Sequence, residues 1–237
     1  MTITMYDTLL QLPLFQGLGK NDITSILDKV RIHFSRRKAG DIVLRKGQAC
    51  RDLVFLLNGS LMSETSDKDN MYLFYEEIDA PSLLEPYSLF GWRTEYASNY
   101  ITSTVCDFVS IEKFYLLSEL SNYEIIRLNY LNILSNRIQN LSDRLWTNMA
   151  GSVEDRIVDF ILLHSIIPTG EKRLKIKMDD LAKLLSSTRI RISRALNEMQ
   201  DKHWITLHRG EIRVPDFVHL KEHREARRLE QSIKSET

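Results

Sequence analysis

Residues 178–199 repeat apolar side chains at helical spacing twice, with a polar break between the two runs. Leu181, Leu184 and Leu185 form the first stripe, Ser186-Ser187-Thr188 the break, and Ile192, Leu196 and Met199 the second stripe. Stripes this short and this close are buried together by two amphipathic helices around a tight turn. Ala182 is small where the first helix must let the second cross closely, and Ser187 or Thr188 can accept a backbone N–H and cap the second helix. That helix opens on Arg189, Arg191 and Arg194. A helix N-terminus already carries partial positive charge, so cations gathered there call for a polyanionic partner. The expectation is a helix-turn-helix whose second helix enters the major groove of double-stranded DNA. An ordinary helical hairpin with a solvated basic face is the plainer alternative. Against it stands the alternating run Thr206-Leu207 and Ile212-Arg213-Val214 around Arg209-Gly210-Glu211, which fits a small hairpin flanking the helices as a wing.

The charge distribution points the same way. The whole chain has 32 basic and 32 acidic side chains, yet residues 171–214 hold 11 basic against 6 acidic ones, and residues 1–110 hold 11 against 14. A basic patch on a mildly acidic protein suits phosphate contact at that patch and discourages docking elsewhere. Arg189 and Arg194 can each pair bidentately with a guanine edge, discriminating by about 1–3 kcal/mol per base. Arg191, Lys172, Lys175, Lys177 and Arg209 can hold phosphates, with Ser187 and Thr188 beside them, fixing register without reading sequence. Spacing alone does not say which arginine reads bases.

The 237 residues exceed what one small domain needs, and 43% hydrophobic composition can fill a sizeable core, so two domains are expected. No stretch approaches the roughly 20 apolar residues of a membrane span, and no signal-peptide pattern opens the chain, so a cytoplasmic protein with no membrane contact is expected. Cys50 and Cys106 stand alone, too few for structural zinc or an iron–sulfur cluster, and buried thiols are the expectation. No GxSxG, P-loop, HExxH or GxGxxG pattern occurs, so nothing specifies an enzyme.

Residues 21–30 have the pattern of a short helix, after which the periodicity becomes that of strands. Ile32–Phe34, Asp41–Leu44, Leu53–Leu57, Ser60–Met62, Tyr72–Tyr75 and Cys106–Ile111 are short apolar or alternating runs. They are separated by Gly40, Gly47, Asn58-Gly59 and the polar segment from Thr65 to Asn70, as in an antiparallel barrel or jelly roll. Asn58-Gly59 suits a tight hairpin. From about Ser118 to Met149 no Gly or Pro occurs, and Leu131, Leu134, Ile138, Leu141 and Leu145 recur at the seam spacing of a two-stranded coiled coil. A parallel homodimer along this helix is expected; packing of the stripe on the chain's own barrel is the other solution. Gly151-Ser152 breaks the helix as a candidate hinge, and Ser152 with Asp155 starts another capped helix.

In this order of parts the chain resembles the CRP/FNR family of bacterial transcription regulators. The resemblance rests on Gly40-Asp41 with Gly47, the run Leu53 to Ser60, Asn136-Arg137-Ile138, and Leu181-Ala182 through Ser193-Arg194-Ala195-Leu196. It implies an α+β protein. A cyclic-nucleotide-binding-like antiparallel barrel or jelly roll would occupy residues 1–117, a dimerisation helix 118–150, a winged helix-turn-helix 151–220, and a polar tail 221–237. It implies a homodimer on a palindromic promoter site that recruits or blocks RNA polymerase. Thr188, Arg189 and Arg194 match the family's recognition helix, whereas Ile190 stands where an acidic residue often does, so base preference does not transfer.

The family's phosphate-binding cassette pairs Gly-Glu with a later Arg-Ser. Here Glu85 follows Leu84 and precedes Pro86, and the Arg-Ser position falls near Tyr96-Ala97, with Arg93 as the nearby substitute cation. An anionic ligand without its cation is costly to desolvate, so an effector other than cyclic AMP, or none, is expected. Tyr87, Phe90, Trp92, Tyr96 and Tyr100 fit either a planar or apolar effector or a filled core; the effector set is therefore Glu85, Tyr87, Trp92, Arg93, Tyr96 and Tyr100. Haem would need Cys50, Cys106 or His33 as axial ligand, and no cofactor is expected. His219 and His223 stand four apart, but two ligands make a weak metal site, so none is assigned. The competing functional class is a ligand-sensing regulatory subunit that works through protein contact without sequence-specific DNA binding.

Overall fold

The computed structural model describes residues 5–145, 151–167 and 169–235. The chain divides into two compact units, each discontinuous. One joins Met1–Met62 to Asp79–Asn140, and the other joins Ser63–Ile78 to Leu141–Thr237.

The first unit opens with helices α1 (Met5–Gln11) and α2 (Lys20–Lys29). In α2 the Asp22 carboxylate accepts the Gly19 N–H at 3.0 Å, capping the helix, while Ile23 and Ile26 turn into the core. Strands β1 (Ile32–Arg37), β2 (Ile42–Leu44), β3 (Asp52–Asn58), β4 (Ser60–Ser66), β5 (Tyr72–Asp79), β6 (Ser82–Leu84), β7 (Asn99–Thr102) and β8 (Cys106–Glu112) follow. One sheet runs β1-β8-β3-β6 with every pairing antiparallel, and β2, β7 and the first part of β4 lie side by side in another. The sheets stay open, so the unit is a jelly roll rather than a closed barrel. Leu53, Val54, Phe55 and Leu56 are all buried, as a strand covered on both faces requires.

Asn58-Gly59 does not form the expected hairpin. β3 pairs with β8 and β6, whereas β4 belongs to the other sheet, so the chain turns a corner between sheets at Gly59. Gly59 has φ +87°, and a Cβ there would lie 2.5 Å from the Val105 carbonyl oxygen, which excludes any other residue.

The helical tract also differs from the expectation of one rod from Ser118. It consists of α3 (Lys113–Ser118), a 3-10 turn (Leu120–Asn122), Tyr123 in extended conformation, and α4 (Glu124–Leu145). The Ser121 hydroxyl and Asn122 amide take the Leu117 and Ser118 carbonyls, acceptors that a continuing helix would need. The expected stretch Trp146 to Met149 lies outside the described residues, as does the Leu145 side chain.

The second unit contains α5 (Val153–His164), β9 (Lys172–Ile176), α6 (Met178–Leu184), α7 (Arg189–Asp201), β10 (Thr206–His208), β11 (Glu211–Val214) and α8 (Phe217–Ser235). Its strands run β10-β11-β9-β5, with β4 beyond β5. Tyr72 to Glu76 of β5 thus pair antiparallel with Ile176 to Lys172 of β9. Phe74, Ile157, Phe160, Leu174, Leu181, Ile192, Leu196, Met199 and Phe217 share one core. Strand β9 was not expected: its Lys-Arg-Leu-Lys-Ile sequence reads as a phosphate-contacting segment. Lys172 cannot serve that role, because it is 0% exposed and its Nζ lies 3.0 Å from Glu76 Oε1 while donating to the Thr169 carbonyl at 2.6 Å. Glu76 Oε1 also accepts the Ile166 and Ile167 N–H groups, both at 2.8 Å.

The boundary expected at residue 220 falls inside α8. Phe217, Leu220 and Arg224 are buried, and Arg224 holds Asp159 through two hydrogen bonds of 2.9 and 2.8 Å. The segment expected as a polar tail is thereby anchored on α5.

Candidate nucleic-acid interface

Helices α6 and α7 meet through a turn at residues 185–188. Ser186 takes a positive φ of 47°, and the Ser187 N–H reaches back to the Ala182 carbonyl at 2.9 Å. Arg156 of α5 donates to the Leu185 carbonyl at 2.6 Å, satisfying an acceptor that α6 leaves open at its C-terminus. Small, buried Ala182 lies in α6, while Ile192, Ala195, Leu196 and Met199 of α7 point to the core. Thr188 is the cap, its hydroxyl accepting the Arg191 N–H at 3.4 Å. Ser187 does not share that role: its hydroxyl is buried and, among the described residues, has no hydrogen-bond partner. That placement also turns it away from an external phosphate.

The outward face of α7 carries Arg189, Ile190, Ser193, Arg194 and Asn197, which border a concavity of about 510 Å3. Ile190 is 76% exposed. Arg189 lies 3.6 Å from Asp179, with both side chains well exposed, so solvent screens the pair and it leaves the guanidinium free to change partner. Arg191 and Arg194 also border a second concavity of about 500 Å3 with Ser152, Glu154, Lys202 and Arg227. In the wing, β10 and β11 join through Arg209-Gly210, Gly210 has φ +71°, and Arg209 is exposed. Lys177, the residue before α6, is exposed as well. The Arg213 guanidinium, hydrogen-bonded to Glu211, holds its carboxyl below the usual range, outweighing the opposing effect of burial.

The fold therefore places Arg189, Arg194 and Thr188 on one helix end and Arg209 on the neighbouring turn, with Lys175 exposed but turned toward Tyr75 and Glu211. Ser193 and Asn197 were missed in the sequence. They follow Arg189 by four and eight positions, so the helical period alone assigns them to its face. Asn197 has the amide that pairs with an adenine edge, and Ile190 an apolar group suited to a thymine methyl.

In the first unit, Glu85, Tyr96 and Tyr100 are buried, at 1%, 3% and 2% exposure. Trp92 and Arg93 lie on the surface, and Tyr87 is 37% exposed with Arg137 stacked 4.9 Å from its ring centroid. The six residues expected around an effector are thus split between interior and surface. Cys50 and His33 border one concavity of about 790 Å3, while the Cys106 thiol donates to the Ser60 carbonyl at 3.1 Å. Burial pushes the Cys50 thiol up, away from the thiolate form a soft metal would bind. His219 and His223 bring their Nε2 atoms within 3.1 Å, and the Trp204 ring stacks on His223.

On α4, Leu131, Ile138 and Leu141 are 57%, 65% and 46% exposed, and Leu134 is half-buried. With Ile125 and Leu128, also exposed, they draw an apolar stripe along the helix.

Residues 155–223 match the Crp-like helix-turn-helix domain. Among solved structures, a transcriptional regulator of the CRP/FNR family from Eubacterium rectale is similar at 21% identity and TM-score 0.50, over 90% of this chain and 98% of that one. DNR from Pseudomonas aeruginosa is similar at 17% identity and TM-score 0.46, over 93% and 98%. The catabolite activator protein of Thermus thermophilus is similar at 15% and TM-score 0.46, over 89% and 97%. No curated protein matches the chain. Over most of its length the chain has a fold similar to that of the Eubacterium rectale protein. The C-terminal segment belongs, more narrowly, to the Crp-like helix-turn-helix domains. Among the described residues no helix is long and apolar enough to cross a membrane.

Proposed function

We propose that this protein is a cytoplasmic, homodimeric transcription regulator that binds a palindromic promoter site through α7 and the wing. The observation that carries this reading is the outward face of α7, where Arg189, Ser193, Arg194 and Asn197 share one exposed side of the helix. That face lies in the most cation-rich segment of a chain with no net charge. Arg189 and Arg194 read bases, Arg191, Lys177 and Arg209 bind phosphate, and Thr188 holds the helix end in place. The apolar stripe on α4 is the dimer seam, and the dimer presents its two reading helices about 34 Å apart, one turn of DNA. RNA polymerase is the further partner, recruited or blocked at the promoter. A signal other than cyclic AMP, if the N-terminal unit takes one, acts by its differential affinity for two spacings of the readers.

The test is selection of bound sequences from a genomic fragment pool at two salt concentrations, with and without cyclic AMP. The expected result is an enriched palindrome whose affinity falls with salt at a slope of about −0.9 per phosphate contacted. Absence of any enriched site, or salt-independent binding, would favour a regulatory subunit that works by protein contact.

A further inference from the structure

Glu85 is the least expected buried charge in the first unit. It is 1% exposed, and its backbone sits in the left-handed region at φ 38°, ψ 54°, a conformation unfavourable for a non-glycine residue. A 3-10 turn (Pro86–Ser88) follows it immediately.

Four donors converge on its carboxylate. Oε1 accepts the Ser98 N–H and the Tyr100 hydroxyl, both at 3.0 Å, and Oε2 accepts the Ala97 N–H at 2.8 Å and the Ser88 hydroxyl at 3.0 Å. Two successive backbone N–H groups aimed at one acceptor group form an anion-binding concavity. Burial pushes the Tyr100 hydroxyl well above its ordinary value, and the Glu85 charge beside it adds to the shift, so Tyr100 stays a donor at every physiological pH. No lysine or arginine is needed to hold the carboxylate, because neutral donors fill its lone pairs.

We infer that the Ala97-Ser98 nest is an anion site whose permanent occupant is the chain's own Glu85 carboxylate, which closes it to exogenous phosphate. The inference rests on the reading of the N-terminal unit as a cyclic-nucleotide-binding-like domain, and it says which ligand class that domain refuses. A cyclic phosphate would have to take the same two N–H groups, so Glu85 would lose the Ala97 and Ser98 donors and keep the Ser88 and Tyr100 hydroxyls. Such an exchange leaves a buried carboxylate short of donors and brings a second anion beside it.

The occupied nest also fixes the turn on which the long helix rests. The Tyr130 hydroxyl of α4 donates to the Pro86 carbonyl at 2.8 Å, the Phe90 ring meets Tyr130 edge-on at 5.9 Å, and Arg137 covers Tyr87. The residues after Glu85 therefore touch α4 at two levels, at Tyr130 and two turns later at Arg137. With its occupant built in, the nest holds this contact without waiting for a ligand.

The experiment is chemical rescue in the full-length protein. Glu85→Ala empties the nest, and sodium formate is the replacement carboxylate, with sodium chloride at equal ionic strength as control. Thermal midpoints are expected to fall by about 4–8 °C in Glu85→Ala and to recover by about 3–6 °C in formate but not in chloride. The wild-type protein should respond alike to both salts and show no midpoint shift with cyclic AMP. Rescue no better than by chloride, or a wild-type shift with cyclic AMP, would overturn the assignment.

If Glu85→Ala does not fold, Glu85→Gln decides. It keeps the shape but turns an amide N–H2 toward donors, so its midpoint should fall by several degrees with no formate response, whereas an unchanged midpoint would refute the nest. DNA binding is measured separately. Formate rescue in a protein that binds no DNA leaves the nest standing, while a palindrome bound only with cyclic AMP removes the nest and leaves the regulator.

Discussion

Lys172→Met is the most informative single perturbation of the second unit. Lys172 and Glu76 are 0% and 2% exposed, and Lys172 Nζ lies 3.0 Å from Glu76 Oε1. Methionine keeps an unbranched apolar stem but loses the ammonium that lies 5.1 Å from the Phe217 ring centroid, and it leaves Glu76 as a buried anion served, among the described residues, by two backbone N–H groups. Breaking one side of such a pair costs about 3–5 kcal/mol. For a protein of this size about 2–4 °C is lost per kcal/mol, so the thermal midpoint should drop by about 6–20 °C. The double variant Lys172→Met with Glu76→Gln keeps an oxygen for the Ile166 and Ile167 N–H groups and removes the stranded charge. It should recover most of the loss, giving a coupling energy of at least about 1 kcal/mol in a double-mutant cycle. Scanning calorimetry gives the midpoints, and amide exchange across Tyr72–Glu76 and Lys172–Ile176 shows whether the loss is local to the β5–β9 pairing. A drop below about 2 °C, or strictly additive single variants, would refute the argument that this pair ties β5 to β9.

Three further outcomes are expected. Arg189→Ala and Arg194→Ala should each weaken binding to the selected site by about 1–3 kcal/mol, while Arg209→Ala weakens all sequences alike and flattens the salt slope by about 0.9; anisotropy titrations distinguish the two. Leu131→Glu with Ile138→Glu should convert the dimer to a folded monomer, read by light scattering and circular dichroism; a persistent dimer would place the seam elsewhere. Burial holds His164 below its ordinary value of 6.5 despite its bond to the Phe160 carbonyl, which only Nδ1–H can donate, so Nε2 accepts from Tyr72. The unfolded chain takes this proton first, so stability should decline as pH falls through 6.5 and level off below the folded pKa; His164→Asn should lose that part of the slope in midpoints measured against pH.

The reader was legible because its determinants are local. The stripes Leu181-Leu185 and Ile192-Met199, the polar turn and Gly210 each act within a few residues, and the structure places two helices and a wing where those signals fall. Strand β9 was illegible for the opposite reason. Its lysine is neutralised by Glu76, almost a hundred positions earlier, and no periodicity within five residues reveals that partner. The same holds for Arg224, whose burial depends on Asp159. Glu85 was visible as an isolated acid, but the donors that satisfy it come from Ser88, Ala97, Ser98 and Tyr100, a set that only the folded backbone assembles. The onset of α4 was missed because Ser121 and Asn122 stop a helix as Gly or Pro would, through side-chain competition for carbonyls.

The β4–β5 hairpin gives the reader a discontinuous genetic footprint. An excised fragment beginning after α4 would carry α6, α7 and the wing and still lack the strand that covers the edge of β9. It would present an open row of backbone N–H and C=O groups, with Lys172 stripped of its counter-ion, and copies of the fragment would pair through that edge. Grafting this helix-turn-helix onto another N-terminal domain therefore means transplanting Ser63–Ile78 with it, and a recombination point in the Gly151-Ser152 break would divide one folding unit rather than join two.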